Sequence, residues 1–191
     1  MVFPAQSRLL PYLALLCLTF ALTLGGILAR PIESLSLFWP VNAALVGVLL
    51  RYPRQANALG FTLVWLAMVA ADLLCGSDWK PALWFNLCNL GMVFTAWQLL
   101  SRVPRLHRRM RSPHGVLSVF AACAAGAMVA ASMASVMAAP WFEQSLQATW
   151  LAWFSEQFST SVLVLPVLLT APSARALLRG GAPDRAVDVF V

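Results

Sequence analysis

The residues best suited to chemistry in this chain are polar or aromatic side chains placed inside long apolar stretches. They are Trp39, Asn42, Asp72, Asn86, Asn89, Trp153 and Glu156. Amide and carboxyl groups are costly in hydrocarbon unless they find partners or water, so each is a candidate for ligand binding. Together with the aromatic walls that small-molecule sites favour, these residues predict one pocket that opens to the outer side of a membrane.

The most distinctive stretch is LFWPVNAALVGVLLR, residues Leu37–Arg51. Trp39 is expected at a headgroup interface, and Pro40 fits the first turn of a helix, where no backbone donor is lost. Asn42 then enters the membrane with an amide that needs a partner. A plain membrane anchor needs none of these three residues, so the segment is interpreted as the rim of a polar site in a helical bundle.

A structural interpretation competes with ligand binding for some of these residues. Asn86 and Asn89 are three residues apart, so they share one helix face, where amides can bond neighbouring helices together. Asp72 can equally be an interfacial carboxylate that faces water. Glu156 is harder to explain in this way, because it lies in the polar run SEQFST inside an apolar stretch. The sequence does not indicate which group pairs with the Glu156 carboxyl.

The composition predicts the elements that must position these side chains. Charged residues make up 10% of the 191, against roughly 25% in soluble domains. With 61% hydrophobic residues and a mean hydropathy of +0.78, the chain is predicted to be an all-α, polytopic membrane bundle of about six transmembrane helices. The apolar runs lie at 9–29, 37–50, 57–74, 81–100, 115–139 and 150–170. We expect one membrane-embedded domain over residues 1–172 and a cytoplasmic tail or linker over 173–191.

The basic residues predict the orientation. With the N-terminus in the cytoplasm, all 13 basic residues except Arg30 and Lys80 fall on the cytoplasmic side. This positive-inside bias predicts that both termini are cytoplasmic. The same topology places polar groups from four helices at a similar depth in the outer half of the membrane, namely Trp39, Asn42, Asp72, Asn86, Asn89 and Glu156.

A basic cluster follows the fourth apolar run. It consists of Arg102, Arg105, Arg108, Arg109 and Arg111. A run of this kind can bind nucleic acid, but a basic loop next to a membrane is explained more simply by contact with anionic lipid. We therefore expect lipid contact and no nucleic-acid partner.

Small residues repeat every four positions along the fifth apolar run. They are Ala122, Gly126, Ala130, Ala134 and Ala138. Such a stripe allows another helix to approach closely. The partner helix is predicted either within the bundle or across a homodimer, the commonest oligomeric state. For a homodimer we expect a parallel arrangement with both tails in the cytoplasm.

Signatures of catalysis or metal binding are weak. The four cysteines are scattered without a Cys-x-x-Cys motif, and both histidines lie in the basic loop. Whether Cys75 and Cys88 pair is left open by their spacing. No phosphate-binding loop or nucleophile motif is present in the sequence. We expect no enzyme activity in this chain, no metal and no cofactor.

Four motifs, taken in order, resemble those of the first MASE-type family of bacterial membrane-associated sensor domains. They are FWPVNAALVGVLL followed by Arg51, LAMVAADLL with Asp72, FNLCNLGMVFTAWQLL with Asn86 and Asn89, and WLAWFSEQFSTSVLVLPVLL with Glu156 and Pro166. Glu156 stands where the family usually has Asp, and Ser159 where it usually has Gly. The resemblance covers roughly residues 35–172.

This resemblance implies a sensory input domain of the bacterial inner membrane, which detects a small ligand or the membrane state from the outer side. The tail over residues 173–191 would then lead toward an output domain outside this chain. Such domains precede diguanylate cyclase, phosphodiesterase or histidine kinase outputs and pass a signal to them, so a cytoplasmic output or signalling partner is expected. A second hypothesis is the substrate-binding membrane subunit of an uptake transporter for a small solute, which six helices in a chain of this size would suit. A third is a scaffold without a ligand. The identity of the ligand is not predicted.

Overall fold

The computed structural model describes residues 6–29, 39–108, 110–141, 143 and 145–172. These residues form helices and connecting turns without a strand, so the predicted all-helical fold is confirmed. The helices are α1 (Gln6–Leu28), α2 (Val41–Arg51), α3 (Ala58–Leu74), α4 (Trp79–Ser101), α5 (Arg105–Arg108), α6 (Pro113–Trp141) and α7 (Leu146–Thr170), with a 3₁₀ turn at Pro53–Gln55. All but the short α5 coincide with predicted apolar runs. The predicted tail, residues 173–191, lies outside the described residues.

Local signals in the sequence set several helix ends. The Asn57 side chain caps α3 by accepting a hydrogen bond from the backbone N–H of Gly60 at 3.0 Å. Ser145 caps α7 in the same way at 3.1 Å. Pro53 disfavours helical backbone at the preceding residue, and α2 ends just before it. Gly76, with a φ of +86°, takes the left-handed conformation that follows α3.

The short helix α2 lies at the centre of the bundle. It packs against α4 and α7, while α6 packs on both of those helices and α1 packs on α3. Leu45, Leu49 and Val46 are at most 1% exposed. A helix that is apolar around its whole circumference must be covered by other helices, and α2 is covered in this way. Its length is therefore set by its neighbours more than by the thickness of a bilayer.

Four of the described helices are long and apolar enough to cross a membrane. They are α1, α4, α6 and α7. At 1.5 Å per residue, the 11-residue α2 is about 16 Å long and the 17-residue α3 about 26 Å long, against a hydrocarbon core of about 30 Å. The prediction of six complete spans is thus supported for four helices, and for α2 and α3 it stays a prediction.

The small-residue stripe of α6 is buried within a single chain. Ala122, Ala130 and Ala134 are at most 1% exposed. At Gly126, a Cβ atom would lie 3.0 Å from the backbone oxygen of Met92 and 3.4 Å from the Cβ of Ala96, both on α4. The stripe thus lets α4 and α6 approach within the bundle, and a homodimer would need a different face.

The predicted orientation can be tested by labelling single cysteines in a variant that lacks the native ones. Cysteines placed at the exposed positions Asp78 and Glu143 should react with a membrane-impermeant maleimide in intact cells. Cysteines at Arg54 and Arg105, which are also exposed but lie at the other end of the helices, should react only after lysis. Labelling of the cysteine at position 105 in intact cells would show that the orientation is the reverse of the predicted one.

Candidate functional site

Three side-chain amides from three helices meet in the interior of the bundle. The Nδ2 group of Asn42 on α2 donates to Oδ1 of Asn89 on α4 at 2.9 Å and to Oε1 of Gln157 on α7 at 2.8 Å. The Nε2 group of Gln157 donates to the same Asn89 oxygen at 3.2 Å. All three side chains are buried, at 0%, 5% and 2% exposure respectively. These bonds join α2, α4 and α7 at one point, and we call the three residues the amide triad.

The amide triad continues toward the end of the bundle where α3 meets α4. Asn89 Nδ2 lies 3.5 Å from Asn86 Oδ1, and Asn86 Nδ2 donates to both Oδ2 of Asp72 and the backbone oxygen of Ala82. Ser77 Oγ is 3.5 Å from the other Asp72 oxygen. A carboxylate near the end of α3 is therefore linked, through amides alone, to the centre of the bundle.

Helical spacing explains how the sequence builds this network. Asn86, Asn89 and Met92 repeat every three residues, so they follow one face of α4, and the Sδ of Met92 lies 3.6 Å from Asn42 Nδ2. On α7 the buried face is partly polar, with Gln157 and Thr160 three residues apart. Thr160 Oγ1 accepts a hydrogen bond of 3.4 Å from the backbone N–H of Trp39, just before α2.

One acceptor in the network has no hydrogen-bond partner among the described residues. It is Oδ1 of Asn42, whose side chain is fully buried. A buried acceptor without a partner costs free energy, so a donor that reached it would be bound favourably. The chemistry that this arrangement offers is hydrogen bonding to a polar ligand or between helices, with the Asp72 carboxylate at one end of the network.

The structure places most of the predicted site residues in or near this network. Asn42, Asn86, Asn89 and Asp72 belong to it directly. Asp72 is 8% exposed and bonded to Asn86, so it does not simply face water. Trp153 is buried and packs on Phe85, with ring centroids 5.2 Å apart. Ligand binding by any of these residues stays a prediction.

Trp39 is covered by protein, with 2% of its surface exposed. Its expected position at headgroup depth stays a prediction. A Cβ atom at Gly26 of α1 would lie 2.8 Å from the Trp39 ring, which shows how closely the indole packs on that helix. The tryptophan is therefore a packing residue between α1 and the start of α2.

Glu156 is half-buried, and its neighbour Gln157 is the residue that enters the amide triad. Gln157 was not among the predicted site residues. The signal that identifies it is its spacing, since Gln157 lies four residues after Trp153 and four before Ser161, both of them buried on the same face of α7.

The arginines predicted to contact lipid lie at the end of the bundle opposite to Asp72. Arg102, Arg105 and Arg111 are exposed, and Arg109 lies outside the described residues. Burial of Arg108, reinforced by the positive charge of Arg105, lowers the pKa of the Arg108 guanidinium. The exposed charges suit contact with anionic headgroups, which stays a prediction.

The described residues contain no group of three or more His, Cys, Asp or Glu side chains arranged to hold a metal ion. All four cysteines are free thiols. Cys75 is exposed at the end of α3, whereas Cys88 is buried on α4.

Comparison with known proteins gives one informative similarity. The chain is 29% identical over 169 residues to a protein of Escherichia coli O157:H7 described as a probable diguanylate cyclase DgcF. The match covers 88% of this chain and 36% of that relative, so the chain spans about a third of the relative's length. No protein-family model matches the chain, and no solved structure matches it.

Proposed function

We propose that this chain is the membrane-embedded input region of a cyclic-di-GMP signalling protein. The observation that carries the proposal is the uneven coverage of the match, which takes in 88% of this chain but 36% of a probable diguanylate cyclase. The described part of the chain is an apolar helical bundle. Such a bundle suits the membrane region of a signalling protein whose catalytic domain lies elsewhere. A ligand or a change in the membrane, acting on the amide triad, is the proposed input.

The contacts of α2 support a route from the amide triad to the C-terminal end of α7. At its start, α2 carries Asn42, which is bonded to Gln157 of α7. At its end, the Nη2 group of Arg51 donates to the backbone oxygen of Ala171, the residue that follows α7, at 3.2 Å. Between these two points, a Cβ atom at Gly47 would lie 3.1 Å from Leu168. Both ends of α2 contact α7, near its middle at Gln157 and just after its end at Ala171. A shift at the triad would therefore move the end of α7, from which the chain continues.

The proposal is tested by a chimera in which this chain replaces the matching region of the E. coli relative. In cells, Gln157→Leu should change cyclic-di-GMP several-fold, because it removes two hydrogen bonds of the triad. Glu156→Gln keeps the shape of the side chain and removes its charge. It should alter the output while leaving the bundle folded, if the carboxyl takes part in sensing.

Gln147→Leu is the matched control, because Gln147 is an exposed amide on the same helix. It should leave the cyclic-di-GMP level unchanged. Membrane abundance of each chimera, measured by immunoblot, separates altered signalling from loss of protein. Equal cyclic-di-GMP levels in all four chimeras at equal abundance would reject an input role for the triad.

A further inference from the structure

A cleft lined by tryptophans lies at the end of the bundle opposite to the arginine cluster. It has a volume of about 290 Å³ and is formed by α3, α4 and α6. Its lining includes Trp65, Trp79, Lys80, Trp84, Leu87 and Trp141. None of them belongs to the amide triad. We call this feature the tryptophan cleft.

The tryptophan cleft offers an apolar surface in spite of its indole N–H groups. The Nε1 group of Trp65 donates to the backbone oxygen of Leu83 at 3.3 Å, and that of Trp84 donates to the backbone oxygen of Met133 at 3.0 Å. With these donors already used within the protein, the two rings present carbon faces to the cleft. A hydrocarbon chain fits such a surface better than a polar solute does.

The direction of the cleft matches that of a lipid chain. Its lining on α4 runs from Trp79, in the first turn, to Leu87, which at 1.5 Å per residue is about 12 Å further along the helix. Trp79 is 59% exposed and Leu87 38% exposed, so the cleft is open along its side. Tryptophans near helix ends are typical of headgroup depth, and an acyl chain entering there would run parallel to α4.

Charges of both signs surround the mouth of the cleft. The Lys80 ammonium lies 5.6 Å from the centroid of the Trp79 ring, where it can also reach a phosphate. Asp78 is the N-cap residue of α4, just before Trp79, and its side chain makes no capping hydrogen bond. Glu143 follows Trp141 by two residues, and both carboxylates are exposed. A headgroup with a net negative charge would be repelled by the two acids. A headgroup with a phosphate and a primary ammonium complements all three charges.

We propose that the tryptophan cleft binds one phosphatidylethanolamine molecule, with an acyl chain against the indoles, the phosphate at Lys80 and the ammonium at Asp78 and Glu143. The proposal does not depend on the signalling function. It is tested by native mass spectrometry of the full chain, purified and then exchanged into mixed micelles that hold equal amounts of phosphatidylethanolamine, phosphatidylglycerol and phosphatidylcholine.

The protein should retain one lipid, with phosphatidylethanolamine preferred about tenfold. Lys80→Gln should reduce this retention about tenfold, whereas Arg54→Gln, which removes an exposed cation at the other end, should not. Leu87→Trp should also reduce it by filling the cleft, while Leu163→Trp, on an exposed position of α7, should not. Each variant is checked for native thermal unfolding. Equal retention of the three lipids, a preference for phosphatidylglycerol, or no response to both Lys80→Gln and Leu87→Trp would overturn the proposal.

Discussion

Gly126→Leu is expected to destabilise the bundle by about 3 kcal/mol, because a bulky side chain has no space between α4 and α6. Even the first added carbon would lie 3.0 Å from the backbone oxygen of Met92 and 3.1 Å from its Cγ. A backbone oxygen cannot turn away as a flexible side chain can, so the two helices must separate. The measurement is unfolding of the purified protein in mixed micelles, followed by circular dichroism as the fraction of denaturing detergent rises.

Gly25→Leu is the matched control, since no atom lies within 4 Å of a Cβ placed at Gly25 of α1. This variant should be as stable as the parent or slightly more stable, because leucine favours helix by about 0.8 kcal/mol over glycine. If both leucine variants unfold at the same point as the parent, the close approach of α4 and α6 is not required for folding, and the small-residue stripe does not hold the two helices together.

The elements of this fold could be predicted because membrane-length apolar runs are a strong signal. Each predicted run corresponds to a helix, and caps such as Asn57 and Ser145 are readable from the sequence. The length of α2 was less predictable. Its run is apolar on all sides, and whether such a helix faces lipid or protein depends on tertiary neighbours that hydropathy does not encode. The burial of Trp39 could not be predicted for the same reason, since it depends on contact with α1.

Most polar residues of the candidate site could be predicted from the sequence, but the hydrogen bonds between them could not. Asn42, Asn86 and Asn89 are conspicuous because amides are costly in hydrocarbon. Gln157 was not predicted as a site residue, because the choice of Glu156 rested on its charge and not on which face of α7 it occupies. The phase is the better guide here, since the buried face of α7 passes through Trp153 and Gln157. The helix that packs on the α6 stripe could not be predicted either, because small residues allow close approach without specifying a particular helix.

Asn89→Leu is expected to destabilise the protein by about 2 kcal/mol, since hydrogen bonds between membrane helices contribute about 0.6 kcal/mol on average and up to about 1.7. Asn89 Oδ1 accepts from both Asn42 and Gln157, so its loss removes two bonds that join three helices. It also leaves the Gln157 Nε2 group without its acceptor in a buried position, which adds a desolvation cost. Detergent-induced unfolding in mixed micelles measures the change.

Gln98→Leu provides the comparison on the same helix, because Gln98 is a half-buried amide of α4 outside the triad. Its replacement should change the free energy of unfolding by less than about 0.5 kcal/mol. A double variant, Asn89→Leu with Gln157→Leu, should cost less than the sum of the two single changes, because each removes the other's partner. Strict additivity, or an Asn89→Leu variant as stable as Gln98→Leu, would mean that the triad does not hold α2, α4 and α7 together. The proposed route from Asn42 to the end of α7 would then be unsupported.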